Sequence, residues 1–192
     1  MIYSIPLFSS DSFEGKLVKA LFLLTFYACL RAGEIVHADK TAHTLCMENL
    51  IWTHSTYTIK FASYKHSGRT GSVAEDERHD LPEITLPRIH SNNCPVLALR
   101  EYIDTRGGQH GPIFINQGGQ PVTRKQLSVW LKTAVELTGA PSGRYNTHSF
   151  RIGRTTQLAA EGHSDETIRR TGRWKSDAYK GYIQIQSFSL PR

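Results

Sequence analysis

The chain has 192 residues, of which 39% are hydrophobic and 21% charged; that is enough apolar material for a medium-sized folded domain and too much for a disordered chain. Its longest apolar run, ALFLLTFYACL, is too short to cross a bilayer, and no basic stretch followed by a signal-type core stands at the start, so neither membrane insertion nor secretion is expected. Lysine and arginine outnumber aspartate and glutamate by 23 to 17, giving a net charge of +6 and a pI near 9.3; this balance fits a polyanionic partner without proving one.

An acidic cap at Asp11 to Glu14 opens a helical pattern in which Leu17, Leu21, Leu24 and Ala28 recur at steps of three and four. The pattern predicts a helix buried on one face, broken or re-aimed at Gly33, with Arg31 at the junction in line with the apolar stripe. From Cys46 to Pro87 the texture changes to the short β-type runs LIWT, TYTIKFASY and EITLP, separated by the polar segment KHSGRTGSVAEDERHD, which predicts a small antiparallel sheet. A helix follows in NNCPVLALREYIDTRGG, with Asn93 as its cap, a proline in the first turn and Gly107 at its stop. GPIFIN is a short extended run.

TRKQLSVWLKTAVELTG opens with Thr123 and Gln126 in capping-box spacing and closes at Gly139. THSFRIGRTTQLAAEG reads as a helix capped by Thr147, SDETIRRTG as a shorter one, and GRWKSDAYKGYI as a last short helix capped by Ser176 or Asp177. No internal repeat or long linker divides the chain, so residues 1–192 read as a single α+β domain, mainly helical with a small antiparallel sheet. Three widely spaced cysteines, Cys29, Cys46 and Cys94, with no Cys-x-x-Cys pair, argue against a structural zinc site and read as packing residues of a protein in a reducing compartment.

Several residues could carry chemistry. Arg31 and Glu34 lie one turn apart, a spacing that lets the carboxylate orient the guanidinium or merely form a surface ion pair. A cation at the end of a buried stripe favours the first reading, because it is costly there unless an anion comes to it. His148 and Arg151 share one face at a helix start, where anions are favoured. Lys65 ends a β-type run and taken alone is a solvated hairpin lysine, with Lys60 as its competitor. Tyr179 and Tyr182 fall on adjacent lines of an α-helix, so they need not share a job, and from this stretch alone both read as core aromatics.

Taken in order, Arg31, Lys65, His148, Arg151, Trp174 and Tyr182 resemble the active-site set of the tyrosine recombinase (phage integrase) family. LRAGEI resembles its first arginine box, HSFR its His-x-x-Arg box and GRWKSDAYKGYI its terminal box, whose wording is most similar to recombinases of DIRS-type retrotransposons and Cryptons. The resemblance covers almost the whole chain. It implies the catalytic-domain fold of the DNA breaking-rejoining enzymes, with the family's N-terminal core-binding domain absent and a short tail after Tyr182.

The activity it implies is site-specific recombination or integration of DNA through a 3'-phosphotyrosyl intermediate, without a metal or other cofactor. A phosphodiester repels nucleophiles, so fixed positive charge must surround the phosphorus. Arg31 and Arg151 would clamp the non-bridging oxygens, His148 would donate or handle a proton, and Glu34 would orient the clamp from behind. Lys65 would be the general acid for the leaving 5'-oxygen, Trp174 an indole donor and wall, and Tyr182 the nucleophile. Lys125, Arg144, Arg154, Arg169, Arg170, Arg173 and Lys175 are the expected DNA-backbone contacts. The partners implied are double-stranded DNA and other protomers, with no membrane, in the nucleus of a eukaryote or otherwise in the cytoplasm at the nucleoid. A catalytically inactive DNA-binding remnant of a mobile element is the alternative, and a type IB topoisomerase a more distant one.

Overall fold

The computed structural model describes residues 11–36, 44–61 and 82–184. Helix α1, Phe13–Tyr27, is capped by Ser12, whose hydroxyl accepts from the Gly15 amide at 2.9 Å. The expectation of one buried face falls short here. Val18, Ala20, Leu21, Phe22, Leu23 and Leu24 are all buried, because LVKALFLLTF has apolar residues around most of the helical circumference. Accordingly α1 is the central helix, packed against both α3 (Pro95–Arg106) and α5 (Ser149–Ala160).

The break after α1 also lies earlier than Gly33. Cys29 adopts a left-handed conformation (φ 49°), the Leu30 amide closes on the Thr25 carbonyl at 2.9 Å, and Gly33 sits inside the next short helix, α2 (Ala32–Ile35). Three antiparallel strands follow: β1 Leu50–Thr53, β2 Thr56–Lys60 and β3 Glu83–Thr85, in the order β1-β2-β3. Trp52 faces Tyr57 across the first pair and Lys60 faces Glu83 across the second. Tyr57 and Ile59 turn inward at every second residue of β2, as a half-buried strand requires.

Cys94, not Asn93, stands at the start of α3, with Pro95 at its first position. Helix α4, Arg124–Leu137, carries the expected reciprocal cap: the Thr123 hydroxyl accepts from the Gln126 amide at 3.3 Å, and the Gln126 side chain accepts from the Thr123 amide at 2.9 Å. Helix α5 begins one residue later than Thr147 predicts. His148 is at its start, and Asn146 closes the entry by accepting the His148 amide at 2.8 Å. Helix α6, Asp165–Gly172, is capped by Ser164 and ends with Arg173 in a left-handed conformation (φ 56°).

The terminal box folds as a six-residue 3-10 helix, Asp177–Tyr182, capped by Ser176. Residues three apart eclipse one another in this geometry, so Tyr179 and Tyr182 turn towards the same side of the segment instead of falling on separate α-helical lines. Tyr179 is fully buried in a small second core with Leu158 of α5 and Ile168 of α6. Tyr182 stands one turn further on, half-buried beside Trp174.

Candidate active site

The end of α1 points its last carbonyls at two buried arginines. Nη1 of Arg151 donates to the Cys29 carbonyl, and Nη2 donates to the Gly172 carbonyl at 3.0 Å. Arg173 donates to the Ala28 carbonyl at 3.1 Å and the Cys29 carbonyl at 3.3 Å, while Phe61 covers its guanidinium at 4.3 Å. A helix C-terminus carries partial negative charge, so these positions favour cations. Even so, burial opposes the charged form of both side chains.

Glu34 joins this cluster to Arg31. Its Oε1 accepts from Arg31 Nη1 at 3.0 Å, and its Oε2 accepts from the Arg31 amide at 2.8 Å and from Arg173 Nη2 at 2.6 Å. Glu34 is 2% exposed, so this carboxylate is a fixed post and not a surface partner. Two guanidinium groups, of Arg31 and Arg173, thus bind one carboxylate, and a third, of Arg151, shares the Cys29 carbonyl with Arg173. The surplus positive charge is held where water screens it poorly, and that arrangement favours an anion.

Trp174 lies over Arg151, with the guanidinium carbon 4.3 Å from the indole centroid, and stands edge-on to Tyr182 at 5.1 Å. The His148 ring also packs against Tyr182, at 4.8 Å. Partial desolvation of that ring, with the nearby charges of Arg151 and Arg31, lowers the pKa of His148. The neutral imidazole is therefore favoured, a form with one donor and one acceptor nitrogen.

Gly172 permits this packing. A Cβ there would fall 1.5 Å from the Trp174 ring. Thus α6 must end in a residue without a side chain for the indole to fold back onto Arg151.

The chain covers 89% of its length in a match to an integrase/recombinase XerD homolog from Selenomonas ruminantium, 28% identical over 182 residues and spanning 48% of that protein. No family model matches the chain. Two solved structures share the fold: the XerH site-specific recombinase bound to a palindromic difH substrate in a post-cleavage complex, and the Tn1549 transposon integrase in complex with transposon right end DNA. The first has a TM-score of 0.67 at 14% identity, covering 97% of this chain and 47% of that one. The second has a TM-score of 0.57 at 16% identity, covering 96% and 59%. The chain thus has the mainly helical fold with a small antiparallel sheet of tyrosine recombinase catalytic domains, and it spans about half the length of the curated relative.

Arg31, Glu34, His148, Arg151, Trp174 and Tyr182 are brought together; Lys65 lies outside the described residues. Lys60, its competitor, pairs with Glu83 on the exposed sheet edge at 2.9 Å. Of the expected DNA contacts, Lys125, Arg144, Arg170 and Lys175 are exposed, and Arg169 is half-buried near Asp177. Two do not fit that role as read. Arg173 is 6% exposed and bound to Glu34, because the left-handed turn after α6 directs it inward. Arg154 is half-buried, donates to Gln157 at 3.0 Å and stacks on Tyr27 at 5.0 Å. Arg173 is also the residue that sequence reading missed at the site: Arg169, Arg170 and Arg173 look alike in RRTGRW, and only the turn at Gly172 separates them.

Proposed function

We propose that the chain is the catalytic domain of a site-specific DNA recombinase or integrase that cuts and rejoins DNA through a 3'-phosphotyrosyl intermediate. The observation that carries this reading is a cluster of two buried arginines and the partly exposed Arg31 with one carboxylate, directly beside a tyrosine in contact with an imidazole and an indole. A phosphodiester supplies the missing negative charge, and guanidinium forks match its oxygens.

In this reading a phosphate of the DNA approaches Arg31 and Arg151, displacing the indole of Trp174 from above Arg151. Trp174 then serves as an indole donor and as a wall beside the nucleophile. The Tyr182 oxygen attacks phosphorus, the bond to the 5'-oxygen breaks, and the strand leaves with a 5'-hydroxyl. Lys65 gives that oxygen its proton, and His148, with an acceptor nitrogen in its neutral form, takes up the phenolic one. Rejoining is the reverse exchange, so the energy of the phosphodiester is kept in the protein-DNA bond. The positive charge for these steps comes from arginine, without a metal. Lys125, Arg144, Arg170 and Lys175 hold the DNA backbone, and further protomers complete a DNA-bound assembly. The wording of the terminal box supports a DIRS-type or Crypton-like mobile element as the source.

The test is a nicked suicide duplex, presented with a series of element-end sequences, followed by mapping of the DNA-linked peptide. Wild type is expected to form a covalent adduct at Tyr182 and Tyr182→Phe none. If neither forms one with any substrate, the enzymatic reading fails. Salt-dependent DNA binding without adduct would then identify an inactive remnant.

A further inference from the structure

The nucleophile segment is weakly held by its own helix. A 3-10 helix has poorer hydrogen-bond geometry than an α-helix, Gly181 adds backbone freedom beside Tyr182, and Tyr182 is the last residue of the element. One side chain outside the segment grips its backbone on both sides. The Thr156 hydroxyl donates to the Tyr182 carbonyl at 3.2 Å and accepts from the Gln184 amide at 3.0 Å. One hydroxyl can do both, since it has one donor and two acceptor sites.

Other helical threonines use their hydroxyls differently. Thr25, Thr105, Thr155 and Thr171 each donate back to the carbonyl four residues earlier in their own helix. Thr156, next to Thr155 on α5, instead reaches across to the tyrosine segment. Its helix is also the one that carries Arg151, with His148 at its start against the Tyr182 ring. Phosphate clamp, ring contact and backbone grip are therefore all referred to a single rigid element.

We propose that Thr156 is a positioning residue that latches the Tyr182 backbone to α5 and so fixes the attacking oxygen relative to Arg151. This role rests on the recombinase reading of the site. The latch acts on alignment of the nucleophile and leaves DNA affinity alone, because Thr156 is half-buried behind the tyrosine segment. Losing it costs rate in the way that a small misplacement of a reacting group does.

The experiment compares wild type, Thr156→Val and Thr156→Ser in the suicide-substrate assay at saturating DNA, with DNA affinity measured in the Tyr182→Phe background. Valine keeps the shape without the hydroxyl, and serine keeps the hydroxyl. Thr156→Val is expected to slow adduct formation about tenfold, the scale of one or two lost hydrogen bonds. Its DNA Kd should stay within about twofold, since no DNA-facing charge changes. Thr156→Ser should keep most of the wild-type rate. An unchanged rate in Thr156→Val, an equal loss in Thr156→Ser, or a loss matched by weaker DNA binding would each overturn the latch. A wild type that forms no adduct overturns the recombinase reading and the positioning role with it, and that outcome is distinct from wild type and Thr156→Val reacting equally fast.

Discussion

Arg173 and Glu34 form a buried ion pair, Nη2 to Oε2 at 2.6 Å, and the same carboxylate holds Arg31. The site arginine nearest the surface is thus oriented through a residue that looks, in sequence, like one more basic contact for DNA. Removing the Arg173 side chain leaves Glu34 to Arg31 alone and takes a buried donor from the Ala28 carbonyl. Arg173→Ala is expected to lower unfolding free energy by about 3–5 kcal/mol in urea titrations. Arg170→Ala, at an exposed position of the same turn, should change stability by less than about 0.5 kcal/mol. Arg170→Ala should instead weaken DNA binding and reduce its salt dependence. A stable Arg173→Ala with reduced salt dependence would return Arg173 to the DNA surface.

Gly172 is predicted to be intolerant of even one methyl group. A Cβ 1.5 Å from the Trp174 ring cannot be accommodated unless the indole leaves Arg151. Gly172→Ala should therefore change Trp174 emission, best read with Trp52 and Trp130 replaced by phenylalanine, and should lose adduct formation as the displaced indole no longer stands beside Tyr182. Gly181→Ala is the control, because a Cβ there meets nothing within 4 Å. Near-wild-type emission and rate in Gly172→Ala would show that the backbone absorbs the methyl group without moving the indole.

Much of this arrangement could be read from residue order, and its limits have physical causes. The convergence of Arg31, His148, Arg151, Trp174 and Tyr182 is implied by the resemblance of the three boxes to the tyrosine recombinases, whereas the small sheet and the capped α4 follow from local periodicity and turn residues. The break after α1 did not, because the left-handed residue is Cys29 and not a glycine. Arg173 was misread because a single left-handed residue reverses the direction of its side chain. An α-helical repeat of 3.6 puts the two tyrosines on separate lines, whereas the terminal helix has a three-residue repeat. Thr156 carries no local sequence signal, since its partners lie 26 and 28 residues away.

Tyr179→Phe should separate the two tyrosines. The ring is fully buried between α5 and α6, and its hydroxyl, near the Asp165 carboxylate, makes no hydrogen bond of normal geometry among the described residues. Removing a buried hydroxyl that makes none relieves a desolvation cost. Stability should therefore hold or rise slightly, and adduct formation should persist at about the wild-type rate, whereas Tyr182→Phe abolishes it. Loss of the adduct in Tyr179→Phe with retention in Tyr182→Phe would reverse the assignment.

His148 should link DNA binding to proton uptake. In the free protein, burial and the charges of Arg151 and Arg31 hold its pKa below the ordinary imidazole value of about 6.5. Below that value the unfolded chain binds a proton that the folded chain resists, so the free protein loses stability as the pH falls through it. A DNA phosphate against Arg31 and Arg151 brings negative charge to the ring and raises its pKa. The complex then holds more protons than the free protein, and affinity should increase as the pH falls from above 7 towards 6 at constant salt. Kd measured against pH in the Tyr182→Phe background should show this slope, and His148→Asn should flatten it. A slope unchanged by His148→Asn would assign the proton to another group and leave His148 only its contact with the tyrosine ring.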